Sequence, residues 1–340
     1  MGQGVAKLIL AKEGLELVGA LDINPELAGK DLSTILGGDS VGVSITNDPA
    51  SILDSSKVDV ITIATTSWVT RQLPDLKAIL SAGINVVSIA EEMAAPEAQS
   101  PEAAAELDAL AKEHGVSAIG VGVNPGFVLD HLVAVLTTGS QEVTRIEASR
   151  VNDLSPYGET VLTTQGVGTT PEEFQAGVAS GSIVGHVGFP ESIRLISDAL
   201  GLGVDKVEQT LEPIIAQKPR QARDRVIEPG KVAGCNHIAI GYRGEDEVIR
   251  LIHPQQVDPG AEGVDTGDYI TIHGVPEISM STGPEIAGGK ATAGIAVNGV
   301  QYLRFMSVAH WGQPGSWTTN YSGLAYSVDD GENWTVVPSM

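Results

Sequence analysis

The sequence predicts an α/β protein: a doubly wound parallel sheet followed by a second, α+β domain. Three observations predict it. Met1-Gly2-Gln3-Gly4 opens a helix (Val5 to Lys12) and is followed by an apolar strand that ends in an acid, Asp22. Over the first 120 residues, apolar runs of strand length alternate with helical patterns, which is how the βα units of a parallel sheet read. Near Asn124-Pro125-Gly126-Phe127 the alternation gives way to longer strands.

The N-terminal order of glycine turn, helix, strand and acid is the second half of a Rossmann-type βαβ unit. There a glycine turn seats a pyrophosphate on a helix N-terminus, and the acid holds ribose hydroxyls. Gly2, Gln3, Gly4 and Asp22 are therefore candidate dinucleotide contacts. The strand that should precede the loop falls before residue 1, so the first strand of the sheet is expected to be missing from this chain. The remaining strands are drawn over Leu15 to Leu21, Val41 to Ile45, Val58 to Ala64, Ile84 to Ala90 and Val116 to Val121. Helices fill the gaps at Pro49 to Ser55, from Trp68 through Ala82, and at Glu97 to His114, where Pro101 suits a first-turn position. After Asn124 a helix is expected over Gly126 to Thr137. Second-domain strands follow at Val143 to Asn152, Val204 to Ile215, Lys231 to Tyr242, Glu247 to Ile252 and Tyr269 to Ile272. This division gives a dinucleotide-binding domain over 1–124, an α+β domain for substrate and dimerisation over 125–298, and a β-rich tail over 299–340, where the helix from Ala291 stops at Asn298-Gly299.

Composition bounds the function. At 340 residues with 42% hydrophobic content the chain can bury two cores. A net charge of −23 argues against nucleic-acid or membrane-surface binding and for a cytoplasmic protein. The lone Cys235 excludes a disulfide framework, and His237, His253 and His273 lack the spacing of a metal site. Three of the four tryptophans, Trp311, Trp317 and Trp334, fall in the tail. Its Ser327-Val328-Asp329-Asp330-Gly331-Glu332-Asn333-Trp334 resembles the Asp-box hairpin of sialidase-like β-propellers, a structural turn motif.

Six motifs occur in order between the ends: Thr65-Thr66-Ser67, Ser88-Ile89-Ala90-Glu91-Glu92-Met93, Asn124-Pro125-Gly126-Phe127, Arg150-Val151-Asn152-Asp153-Leu154-Ser155, Thr164-Gln165-Gly166-Val167-Gly168 and Gly185-His186-Val187-Gly188-Phe189-Pro190-Glu191-Ser192. Together, over residues 1 to 298, they resemble the 2,4-diaminopentanoate dehydrogenases and related native amine dehydrogenases, which share a dihydrodipicolinate-reductase-like cofactor domain. The resemblance implies reversible oxidative deamination. An amine gives a hydride to NAD(P)+, and the imine hydrolyses to a ketone and ammonia. It also implies a homodimer built on the second domain's sheet. Two other readings stay open: a reductase of cyclic imines on the same cofactor domain, and an inactive scaffold that has lost its phosphate loop.

The chemistry requires a base for the ammonium proton, because hydride leaves only from a neutral amine. Glu91 and Glu92 follow a sheet strand at the edge where nicotinamide lies, and Glu92 is the preferred base by its place in similar enzymes. Asp22 would repel a 2′-phosphate, and no arginine follows it through Lys30, which favours NAD over NADP. A turn-capping role for Asp22 is the alternative. Thr65 and Thr66 are further cofactor candidates, or strand-end turn formers. Asn124 is read as a contact for the nicotinamide carboxamide or as a helix N-cap. Asn152, Asp153, His186 and Phe127 are the substrate-side candidates, with Asp153 set to pair a second ammonium and His186 or Arg150 a carboxylate.

Overall fold

A computed structural model describes the backbone of residues 1–223, 225–310, 325–326 and 335–336, with side chains up to residue 300. The Asp-box stretch and the three tail tryptophans lie outside the described residues.

Strands β1 (Ala20–Leu21) and β2 (Ile45–Thr46) pair in parallel, with the short helix α2 (Ser33–Leu36) between them. Strands β3 (Val60–Ile63), β4 (Asn85–Ser88) and β5 (Ala118–Gly120) form a second parallel ladder in that order. Side chains alternate across a strand, so Val86 and Val87 of β4 serve opposite cores. Val86 packs with Val69, Leu76 and Leu80 of α3 (Val69–Ser81) and with Leu107 of α4 (Pro101–His114). On the other face Val87 meets Val5 of α1 (Gly2–Ala11) and Ala293, Ala296 and Val297 of α9 (Gly288–His310). Both faces of the ladder are covered, as a parallel sheet requires.

Several expected boundaries shift. The runs Leu15 to Leu21 and Val41 to Ile45 contract to the two-residue strands β1 and β2. A ladder extends only where both neighbours offer backbone groups, and here only Ala20 with Ile45 and Leu21 with Thr46 are in register. The first helix starts at Gly2, so Gly2, Gln3 and Gly4 lie within its first turn and not in a loop before it. Gly4 and Val5 amides donate to the Met1 carbonyl at 2.8 and 3.2 Å. Pro49 to Ser55 forms a single 3-10 turn over Pro49–Ile52, capped by Asp48. The helix expected from Glu97 begins at Pro101, after a separate 3-10 turn at Pro96–Ala98. The one expected from Gly126 begins at His131 (α5, His131–Thr137), because the Asp130 carboxylate caps the His131 amide. Helix α9 runs through Asn298-Gly299 instead of ending there. A glycine costs a helix about 1 kcal/mol, and the burial of Ala296 and Val297 on β4 and β5 offsets it.

The second sheet has six strands in the order β13-β12-β6-β11-β10-β7. They are β6 (Glu142–Asp153), β7 (Lys206–Ile215), β10 (Val232–Arg243), β11 (Asp246–Gln256), β12 (Gly267–Val275) and β13 (Ile278–Thr282), the last not foreseen from sequence. A two-rung hairpin, β8 (Arg220–Gln221) and β9 (Val226–Ile227), and helices α6 (Glu159–Thr164) and α7 (Pro171–Ser180) lie in the connections. Strands β6 and β11 are parallel and the other pairings antiparallel. Helices α5 and α8 (Phe189–Leu200) cover one face, over Ile146, Ala148, Ala239, Ile249, Leu251 and Ile270.

The same face changes character along its strands. Two residues beyond Ala148 comes Arg150, then Asn152; two beyond Leu251 comes His253, then Gln255. Register sets His237 opposite His253, Gln255 beside Asn152, and Asp268 opposite Arg150. All six are buried, so the apolar core continues upward into a polar floor.

Candidate active site

Two groups of side chains converge at the N-terminus of α8. The first is carboxylates. Beyond β4 the chain makes a 3-10 turn over Glu91–Ala94. The turn closes on β5 because Gly120 has no side chain: a Cβ there would lie 1.9 Å from the Met93 carbonyl oxygen. Glu92 is buried, and its Oε2 accepts from the Val69 amide at the start of α3 (2.7 Å). Glu91 is half-buried beside Ser67, and desolvation raises its carboxyl above the ordinary range, with the charge of Glu92 adding to the effect. The third carboxylate comes from a distant part of the chain. Glu191, in the first turn of α8, is fully buried; its Oε1 accepts from Gln99 Nε2 at 2.7 Å, while Oε2 has no partner. Burial pushes Glu191 up to about 7, with the charges of Glu92 and Glu91 contributing.

The second group is neutral and polar. The Asn124 amide donates to His186 Nε2 (3.2 Å) and His253 Nδ1 (3.4 Å), and the His186 amide donates to His237 Nδ1 (3.0 Å). These contacts put the His253 proton on Nε2, a buried atom with no partner, as are Asn124 Oδ1 and Asn152 Oδ1. Burial drives His186 down to about 3 and His237 to about 4, and His253 well below its ordinary value. All three rings are therefore neutral at physiological pH. Phe189 stacks edge-on against His186 and His237 with centroids 4.8 Å apart. Beneath them Arg150 is ion-paired to Asp268 and also donates to the Ile286 carbonyl, so its charge is already matched. Gly188 (φ 114°) brings the two groups together, since a Cβ there would meet the Pro125 ring at 2.5 Å.

The sequence-predicted residues divide between these places. Glu91, Glu92, Asn124 and His186 fall at the convergence, and Asn152 lies on the polar floor beside Gln255. Asn124 does not cap a helix; it joins the histidine group. Asp153 Oδ1 accepts from the Ser155 amide and hydroxyl and from the Asp258 amide, holding the turn after β6. Phe127 is exposed. On the dinucleotide side, Asp22 Oδ1 accepts from the Asn24 amide (2.8 Å), Thr65 Oγ1 from Gln72, and Thr66 Oγ1 from the Trp68 amide. The Asp22 and Thr66 contacts are local turn contacts, whereas Thr65 meets a side chain of α3. The α1 N-terminus has no acid in its first turn and leaves the Gly2 and Gln3 amides without intrahelical acceptors, which suits an anionic pyrophosphate. Glu191, Gln99 and His253 were not singled out from sequence. Glu191 stands inside a quoted motif, but an acid after a first-turn proline reads as ordinary helix polarity, and Gln99 lies 92 residues away.

Among the described residues no helix is long and apolar enough to cross a membrane, and no group of three or more His, Cys, Asp or Glu could hold a metal ion.

Three family models match the chain: dihydrodipicolinate reductase, N-terminus, over residues 1–116; 2,4-diaminopentanoate dehydrogenase C-terminal domain over 127–304; and a domain of unknown function, DUF4185, over 286–340. The chain is 42% identical over 306 residues to the 2,4-diaminopentanoate dehydrogenase of Acetoanaerobium sticklandii, covering 88% of this chain and 85% of that protein. Among solved structures it is similar to an amine dehydrogenase from Mycobacterium smegmatis, with a TM-score of 0.77, 28% identity and 89% of each chain covered. The fold also resembles myo-inositol 2-dehydrogenase from Lactobacillus plantarum, with a TM-score of 0.53 and 12% identity over 91% of this chain and 86% of that one.

Proposed function

The chain belongs to the 2,4-diaminopentanoate dehydrogenase family, and on that premise we propose that it catalyses nicotinamide-dependent oxidative deamination of a small diamino acid, 2,4-diaminopentanoate or a close relative, and the reverse reductive amination. The observation that carries this reading is the convergence itself: desolvated carboxylates on one side, and buried neutral groups with unused hydrogen-bonding atoms on the other.

We assign the base to Glu91. Glu92, the residue that sequence position favours, has one carboxylate oxygen committed to the α3 amide, whereas Glu91 is desolvated and partly accessible. Glu91 takes a proton from the substrate ammonium, leaving the neutral amine. The bound nicotinamide supplies the hydride acceptor. The substrate iminium then adds water, and the resulting carbinolamine collapses to ketone and ammonium. The buried face presents Asn124 Oδ1 and Asn152 Oδ1 as acceptors for the second ammonium and His253 Nε2–H as a donor to the carboxylate. His186 packs between His253 and Phe189 and shapes the pocket.

The residues present fit a dinucleotide. Gly2, Gln3 and Gly4 would hold the pyrophosphate at the α1 N-terminus, Asp22 the adenosine ribose hydroxyls, and Thr65 and Thr66 the phosphate or ribose. The Asp22 carboxylate supports NAD over NADP. The outer face of the six-stranded sheet, where Tyr269 is 42% exposed, supports a homodimer interface, and the acidic composition supports a cytoplasmic setting.

The test is NADH formation from 2,4-diaminopentanoate, with ammonia dependence in the reductive direction. Ammonia-independent reduction of a cyclic imine, with no deamination, would overturn the proposal in favour of an imine reductase.

A further inference from the structure

The Glu191 side chain takes no part in the proton and hydride transfers of this deamination. It is fully buried on α8, which belongs to the second domain, yet its Oε1 is tied to Gln99 in the first, and its Oε2 has no partner. A carboxyl group is an expensive group to bury with a free oxygen.

Resting on the deamination reading, we propose that Glu191 is a positioning residue for the base: its ionisation across the domain boundary adds a second negative charge beside Glu91 and so sets the pH at which Glu91 works. The turn over Glu91–Ala94 packs against α8, and the charged groups that act on Glu191 are Glu92 and Glu91 of that turn. On α5, which packs against α8, the His131 ring Nδ1 lies 2.7 Å from the Gly126 carbonyl oxygen. Asp130, before α5, is engaged by the Gly126 amide and the Ser192 hydroxyl. His237 of β10 and His253 of β11 stand on the Phe189 side of the helix. Arg194, on α8 itself, is paired at the surface with Asp198. Glu97 is exposed.

The titration of Glu191 near pH 7 gives the mechanism its sign. Below that pH it is neutral and leaves Glu91 alone. Above it, the added charge raises the proton affinity of Glu91 and favours the positive charge that develops on the substrate as it becomes the iminium. Gln99 donates to Glu191 and stabilises its ionised form.

The experiment is the pH profile of kcat/KM for deamination in wild type, Glu191→Gln and Gln99→Ala. Glu191→Gln is expected to match wild type below about pH 6 and to fall about tenfold below it above pH 8, the effect of one unit of base strength. Gln99→Ala, a change at an exposed residue, is expected to move the inflection upward by about half a unit to one unit. Difference infrared spectra without cofactor should show a buried carboxyl band titrating near pH 7 in wild type and absent from Glu191→Gln. A rate loss equal at pH 6 and pH 9, or no loss at either, would overturn the proposal while leaving the deamination reading intact. Absence of deamination in wild type overturns both.

Discussion

Exchanging Glu91 and Glu92 one at a time for glutamine should separate chemistry from architecture. Glu92 Oε2 receives the first-turn amide of α3 at 2.7 Å and the side chain is 7% exposed, so its charge is held close to the positive end of the helix. A hydrogen bond to a charged group contributes roughly 1.5–3 kcal/mol against about 0.5–1.5 for a neutral one. The helix-dipole contribution adds roughly 0.3–1 kcal/mol. Glu92→Gln keeps the acceptor and loses both increments, so it should destabilise the protein by about 1.5–2 kcal/mol and lower the melting temperature by about 3–8 °C. Glu91→Gln should do the reverse. Its folded pKa is raised, so above the unfolded value the ionised group costs stability, and removing it leaves the protein no less stable at neutral pH. The rate should nonetheless fall about 10²–10⁴-fold, the usual size of a lost general base. Thermal melts and steady-state deamination on the same preparations read both effects. A stable but inactive Glu92→Gln beside a working Glu91→Gln would refute the assignment.

Further outcomes follow from other parts of the site. His237 is buried neutral with its pKa near 4, so stability present above about pH 6.5 should be lost as pH falls toward 4, by up to about 3 kcal/mol; urea midpoints across that range should be flatter in His237→Gln. Asn152→Ala should raise KM for 2,4-diaminopentanoate at least tenfold while changing that for a simple alkylamine little, because only the diamino acid needs the second acceptor; steady-state kinetics on both substrates read it. Asp22→Ser should improve NADP use relative to NAD by relieving repulsion of the 2′-phosphate, measured as the ratio of the two kcat/KM values. Gly188→Ala combines an unfavourable φ with a 2.5 Å approach to Pro125 and should cost about 2–4 kcal/mol, read as lower soluble yield and melting temperature.

Much of this was legible in the sequence. The β-α alternation gave the order of β1 to β5, and the long alternating runs located β6, β7, β10, β11 and β12 within a few residues, because burial on one face imposes a period of two. Ladder lengths were not legible: Leu15 to Gly19 is as apolar as a strand, but pairing depends on what the neighbour offers. Helix starts moved where a side chain intervened, as Asp130 does for α5. The site was half legible. Glu91 and Glu92 announce themselves as acids at the end of a strand. Glu191 depends on Gln99, and His253 on Asn124, and such pairings over long separations exist only once the chain is folded.

The polar floor of the second sheet has a consequence for how substrate preference can change. Ala148, Arg150 and Asn152 are successive inward residues of one strand, about 13 Å from end to end at roughly 3.3 Å per residue. The lower end is anchored in the core and the upper end is the part assigned to the ligand in the proposed reaction, so recognition groups placed there inherit the stiffness of a keel instead of the looseness of a loop. Little conformational freedom remains to be lost when a substrate arrives. A new amine can thus be accommodated by exchanging strand-end residues such as Asn152 or His253, with the packing two steps below left undisturbed.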